Sequence, residues 1–124
     1  MPPADILQRI VATRRERLGV TPAQRASPPF TGGFSAQTPA ANRFVAALGA
    51  QRGRAVIAEI KMGSPRLGSL AGRFDPEKQA AAYAAAGAEA LSVVVEPDFF
   101  FGSYELLAAC KAASNLPTIA KEFV

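Results

Sequence analysis

Histidine is absent from the 124-residue sequence, which removes histidine-based triads and histidine metal sites from the chemistry within the chain. Proton transfer therefore falls to Glu, Asp, Lys or Tyr. Cysteine occurs once, as Cys110, so no intramolecular disulfide framework forms and the default expectation is a reducing, cytoplasmic setting. No apolar run approaches the roughly 20 residues needed to cross a bilayer. Asp5, Arg9, Arg14 and Arg15 interrupt the N-terminal stretch, which leaves no signal-peptide core. No membrane partner is expected.

What is present fits a soluble globular chain with one modest core, at 49% hydrophobic and 19% charged residues. The net charge of +4 is mild. Its densest cluster, Arg14, Arg15 and Arg17, is shared with Glu16 and lacks the interleaved aromatics that stack on bases. A solvated helix face explains that cluster, and no nucleic-acid partner is expected. A small anionic substrate would account for the charge equally well.

Along the chain, Ile6, Leu7, Ile10, Val11 and Leu18 recur near helical spacing and predict an amphipathic helix over 5–18, stopped by Gly19. Prolines and glycines over 19–38 predict an irregular connector. A second short helix is expected with Thr38 as cap and Pro39 in its first turn, presenting Phe44, Val45 and Leu48 and ending near Gly49. The period then changes. Ala55–Lys61, Ala90–Val95 and Pro117–Phe123 read as buried strands. Between them lie helices opened by Asp75-Pro76 and by Ser103, the first stopped by Gly87. The order is β-α-β-α-β, with Ile60, Leu91 and Ile119 about 30 residues apart, the size of one βαβ unit. Such alternation predicts an α/β fold with a parallel sheet. A complete (β/α) barrel takes about 250 residues, so the expectation is a partial barrel in a fragment, with residues 1–50 as a helical extension and 51–124 as the first three barrel strands.

Strand alternation places Glu59 and Lys61 on one face with Ile57, opposite Ala58 and Ile60. Opposite charges at the C-terminal end of a buried strand are costly unless paired or used, and in a barrel that end carries the catalytic mouth. The third strand repeats the device with Lys121. A structural Glu–Lys pair is the plainer alternative. The loop from Met62 to Ser69 offers backbone N–H groups and the Ser64 hydroxyl to an anion, although it matches no Walker pattern. After Glu96-Pro97, three consecutive phenylalanines suggest one ring packed under the rim and another walling a pocket. Cys110, one turn from Leu106 and Leu107, reads as a buried small hydrophobe rather than a nucleophile.

These segments together resemble the indole-3-glycerol phosphate synthase family. Ala58-Glu59-Ile60-Lys61 with Ser64-Pro65 is similar to its first strand. Phe74-Asp75-Pro76, Tyr83 and Ala86-Gly87-Ala88 are similar to its first barrel helix. Leu91-Ser92-Val93, Glu96-Pro97 and the Phe-Gly-Ser loop resemble its second strand and loop, and Leu116-Pro117 through Val124 its third strand. The resemblance implies a (β/α)8 TIM barrel with N-terminal extension helices, of which this chain holds the first three strands. It also implies ring closure and decarboxylation of a sugar phosphate, 1-(2-carboxyphenylamino)-1-deoxyribulose 5-phosphate, with no metal and no organic cofactor.

By the same resemblance Lys121 is similar to the general-acid lysine, Lys61 to the lysine that engages the substrate carboxylate, and Glu59 to the glutamate that orients both. Ser64, Phe100 and Phe123 resemble substrate-contacting positions. Acid duty suits a lysine whose pKa is lowered by burial or a neighbouring cation. Met62 and Leu67 stand where the family commonly has basic residues, and Glu122 where it has aspartate. The family's general-base glutamate and most of its phosphate site come from later strands, so the chain alone is expected to be inactive. Partner expectations are a complementary half-barrel or self-association through the open sheet edge. Two other readings stay open: a non-catalytic half-barrel binding module, and another phosphate-binding barrel such as a Schiff-base aldolase using Lys121.

Overall fold

The computed structural model describes residues 5–19 and 42–124. Contacts divide the chain into two units, one of residues 1–36 with Phe123 and one of residues 37–122 with Val124. In the first, helix α1 spans Ile6–Leu18. The Asp5 side chain accepts from the Leu7 N–H at its start, and Gly19 in the left-handed region (φ 61°) ends it. Arg15 and Arg17 sit in the last turn, where cations complement the helix dipole.

Two expectations for α1 need correction. Ile10 is buried, but Ile6, Leu7 and Leu18 of the apolar stripe are exposed. Periodicity marks the side that a helix can bury, not the length of it that finds cover. Arg14 is half-buried rather than part of a solvated face, and its Nε donates to the Phe123 carbonyl at 2.8 Å.

In the second unit, helix α2 spans Arg43–Ala50. Asn42 is its cap, with a non-helical backbone and a side-chain oxygen accepting from the Phe44 and Val45 N–H groups. The expected start at Thr38-Pro39 lies outside the described residues, and the described helix begins only after Asn42. An asparagine cap satisfies the same orphan donors that a threonine would.

Strand β1 (Ile57–Ile60) follows, then the two-residue strands β2 (Gly63–Ser64) and β3 (Gly68–Ser69), helix α3 (Pro76–Ala85), strand β4 (Ala90–Val94), helix α4 (Tyr104–Ser114) and strand β5 (Thr118–Lys121). The helix signals act as expected. Asp75 accepts from the Glu77 and Lys78 N–H groups, and the Ser103 hydroxyl from that of Leu106. Gly87 takes φ 95°, which lets the Ala88 N–H turn back to the Tyr83 carbonyl.

The main sheet is parallel throughout, in the order β1-β4-β5. β4 is therefore central, and its five residues are buried on both faces as a parallel strand should be. Register puts Ile60, Val93 and Ala120 in one row, and Glu59, Ser92 and Ile119 in the next. The first row faces the helices. There Ile60, Leu91 and Val93 join Ala80 of α3 and Cys110 of α4 in the core, with Ala58, Met62, Tyr83, Leu106 and Leu107 packed around them. Cys110 is fully buried as expected, and burial together with the Glu77 and Asp75 carboxylates pushes its thiol up from the ordinary range.

The strands are shorter than the apolar runs suggested. β5 stops at Lys121 because Glu122 and Phe123 both adopt positive φ, at 73° and 50°, which ends pairing. The segment after β1 is not a flexible loop: Gly63-Ser64 pairs antiparallel with Gly68-Ser69 in a small ribbon.

Candidate functional site

All three strands of the sheet run the same way, so the segments leaving β1, β4 and β5 emerge at one edge, where α/β sheets gather their functional groups. Alternation along β1 turns Glu59 and Lys61 away from the helices, and register aligns Lys121 of β5 with Val94 of β4 on that same side. Glu59 lies opposite Ser92. Its partner strand is two strand spacings away, about 10 Å between backbones. Long side chains close that gap: the Lys121 Nζ donates to the Glu59 Oε1 at 2.9 Å, crossing over the central strand. A second carboxylate, Glu122, has its Oε1 3.5 Å from the same ammonium.

These contacts hold the Lys121 ammonium above the ordinary lysine range, chiefly through the hydrogen bond it donates to Glu59, against the opposing effect of burial and with lesser help from the charges of Glu59 and Glu122. The direction corrects the expectation of a lowered value. Lys121 is 48% exposed and its near neighbours are carboxylates rather than a cation, so desolvation does not outweigh them. A group held protonated in this way is suited to hold an anion, and is a weaker proton donor than an ordinary lysine. It is poorly suited to attack a carbonyl, because the ammonium has no lone pair.

Lys61 is half-buried one position beyond the last paired residue of β1. With Glu59 it lines a cleft of about 350 Å³, completed by Phe74, Gln79 and Tyr83. Ser64 lies in the ribbon, where its Oγ accepts from the Leu67 N–H at 3.1 Å. That bond ties the hydroxyl oxygen to its own turn while leaving the hydroxyl proton to donate. Leu67 itself is exposed, and Met62 packs against the core on the helix side of the sheet. Phe100 is half-buried in the segment after β4. Phe123, the remaining expected site residue, is half-buried just after β5, and its carbonyl accepts from the Arg14 Nε.

Reading the sequence missed three residues that shape this edge. Glu96 is fully buried, and its carboxylate accepts from the Asp98, Phe99 and Phe100 N–H groups. Gly102 returns the chain against β4 so closely that a Cβ there would overlap the Val94 carbonyl. A Cβ on Gly63 would collide with the Phe101 ring. A usable signal existed in Glu96 itself: a charged residue at the end of an otherwise apolar strand, followed by proline, needs internal donors if it is buried. Among the described residues no group of His, Cys, Asp and Glu is arranged to hold a metal ion, and no helix is long and apolar enough to cross a membrane.

Comparison with known proteins supplies the family. Residues 7–124 match the family described as Indole-3-glycerol phosphate synthase. Proteins of that name from an Azoarcus species and from Burkholderia multivorans are 44% and 41% identical over 128 and 124 residues. One from Burkholderia ambifaria is 40% identical over 124 residues. Each alignment covers 98% of this chain but 47% of the relative, so the chain spans about half the length of the curated relatives it matches.

Proposed function

The chain belongs to the indole-3-glycerol phosphate synthase family, and from that premise we propose that it supplies the opening part of a synthase barrel and half of its active site. Residues 1–50 form the helical extension and residues 51–124 the first three barrel strands. The activity of the whole is ring closure of 1-(2-carboxyphenylamino)-1-deoxyribulose 5-phosphate with loss of carbon dioxide and water, in a cytoplasmic setting and without metal or organic cofactor.

The observation that carries this reading is the Glu59–Lys121 hydrogen bond across β4, with Lys61 beside it at the same end of the sheet. Lys121 serves as the general acid. Held above its ordinary range by Glu59, it is fully charged at neutral pH but a weak proton donor, so acid duty requires substrate to displace the Glu59 contact and bring the ammonium back toward its ordinary range. Glu59 holds the ammonium in place. Lys61 takes the substrate carboxylate and keeps it over the reacting carbon until carbon dioxide leaves. Ser64, Phe100 and Phe123 complete the substrate contacts.

One acid, the glutamate that positions it and one carboxylate-binding lysine do not make a full cycle, so the purified chain alone is expected to form no indole-3-glycerol phosphate. Mixed with a segment carrying the later strands of a relative, it should recover turnover that disappears in Lys121→Met. Product formed by the chain alone would overturn the division of the site, and turnover unaffected by Lys121→Met would remove the assigned acid. Association through the edges of the sheet is a second reading, favoured by the exposure of Val56 and Ile57 on β1 and its approach and of Ile119 on β5. Size-exclusion chromatography tests it, and a concentration-independent monomer would remove it.

A further inference from the structure

The segment between β4 and α4 is organised by one side chain. Glu96 is 1% exposed, and its carboxylate is satisfied by main-chain donors. Its Oε1 accepts from the Asp98 N–H at 2.9 Å, and its Oε2 from those of Phe99 and Phe100 at 2.7 and 2.9 Å. The Glu96 carbonyl accepts from the Gly102 N–H at 2.9 Å, which closes the loop on its own base. Within that ring Phe101 takes φ 58°, a left-handed conformation that a bulky residue keeps only where its surroundings over-determine it. The Phe101 ring in turn occupies the space a Cβ would need on Gly63, the residue next to Ser64 in the ribbon after β1.

We infer that Glu96 is a positioning residue, whose buried carboxylate sets the backbone of Phe100 directly and the Gly63-Ser64 ribbon through the Phe101 ring. This rests on the reading of Phe100 and Ser64 as substrate-contacting positions. Glu96 touches neither substrate nor reacting atoms. It converts one strand-end side chain into a common frame for the two segments that flank the site, so that both are in place before substrate arrives.

Amide hydrogen exchange and proton NMR of the 124-residue chain test the assignment, with Glu96→Ala, Glu96→Gln and Phe101→Leu compared with the parent. Losing charge-assisted bonds of this kind should raise exchange at Asp98, Phe99 and Phe100 about tenfold or more in Glu96→Ala. Exchange at Leu91–Val94 of β4 should stay unchanged, and the Gly63 α-protons should lose their ring-current shift. Glu96→Gln should restore protection at Phe99 and Phe100, while Phe101→Leu should remove the Gly63 shift and leave that protection intact. Unchanged exchange in Glu96→Ala, an equal rise throughout β4, or a Gly63 shift that persists in Glu96→Ala would overturn the inference. Anthranilate, the carboxyphenylamino end of the proposed substrate, provides the separate arm. Weaker binding in Glu96→Ala with recovery in Glu96→Gln supports the positioning role. No binding by any variant, beside the expected exchange pattern, removes Phe100 and Ser64 as anthranilate contacts within this chain and leaves the loop frame standing.

Discussion

The two faces of the parallel sheet are built from the same strands by the same alternation, yet they do different things. On the helix side, Ile60, Leu91 and Val93 meet Ala80 and Cys110 with almost no exposure. On the other side Ile57 and Ile119 are each 46% exposed on the flanking strands, and between them lie Glu59, Lys61 and Lys121. Side chains on the first face are replaceable only by shapes that fill the same space. Those on the second face are held by charge and register, with packing secondary. The difference teaches that stability and chemistry are separable in this chain, one residue apart along each strand.

The largest effect that would test this separation belongs to the helix side. Leu91→Ala removes a side chain with 0% exposure from the middle of the core and should cost about 2–5 kcal/mol, measured by urea unfolding. A chain with one small core has little stability to spare, so at the upper end of that range the variant should be unfolded without denaturant. A loss well under 1 kcal/mol would mean that the helices are not seated on the sheet as described.

How much of this was legible beforehand follows the same division. The βαβ order, the caps at Asp75 and Ser103 and the faces of β1 and β5 were readable because each depends on local chemistry or on a period of two. The parity argument put Glu59, Lys61 and Lys121 on one side, and register then showed that Glu59 and Lys121 reach each other. What was not legible depended on contacts distant in sequence or on backbone geometry. Nothing in the string marks the left-handed turn at Glu122 and Phe123 that shortens β5, or the ribbon at Gly63-Ser64. The direction of the Lys121 shift was misread for the same reason. A lysine near the end of an apolar run looks buried, whereas here it is half-exposed between two carboxylates. Glu96 itself was a signal, at the end of an apolar strand, but its partners were not, because its donors are backbone groups that carry no residue signature.

An intermediate test addresses the other face. Ile119→Thr, with Ile57→Thr as its counterpart on β1, keeps β-branching while removing exposed apolar surface. Stability should change by no more than about 0.5 kcal/mol, and self-association in size-exclusion chromatography should fall. A cost near 2 kcal/mol for either variant would show that this face is a second core, and the contrast between the faces would be lost.

The Glu59–Lys121 pair is the most diagnostic of what holds the charged side together. Glu59→Gln removes the main cause of the raised Lys121 value while leaving both strands in place. With Lys121 at 48% and Glu59 at 35% exposure, solvent screens the pair, and the loss at neutral pH should stay under about 1 kcal/mol. The sign of its pH dependence is fixed by the direction of the shift. A lysine raised in the folded state contributes fully below its unfolded value, near 10.4, and loses that contribution as pH rises through the higher folded value. The stability difference between parent and Glu59→Gln should therefore be flat from neutral pH to about 9 and shrink above about 10.5. Raising the salt concentration should shrink it at neutral pH as well. Unfolding in parallel at neutral and alkaline pH reads the first trend, and nitrogen-detected titration of the Lys121 Nζ reads its cause. A difference that grows with alkaline pH, or a cost at neutral pH as large as that of Leu91→Ala, would place the Glu59–Lys121 pair among the interactions that fold the chain and not among those kept for its chemistry.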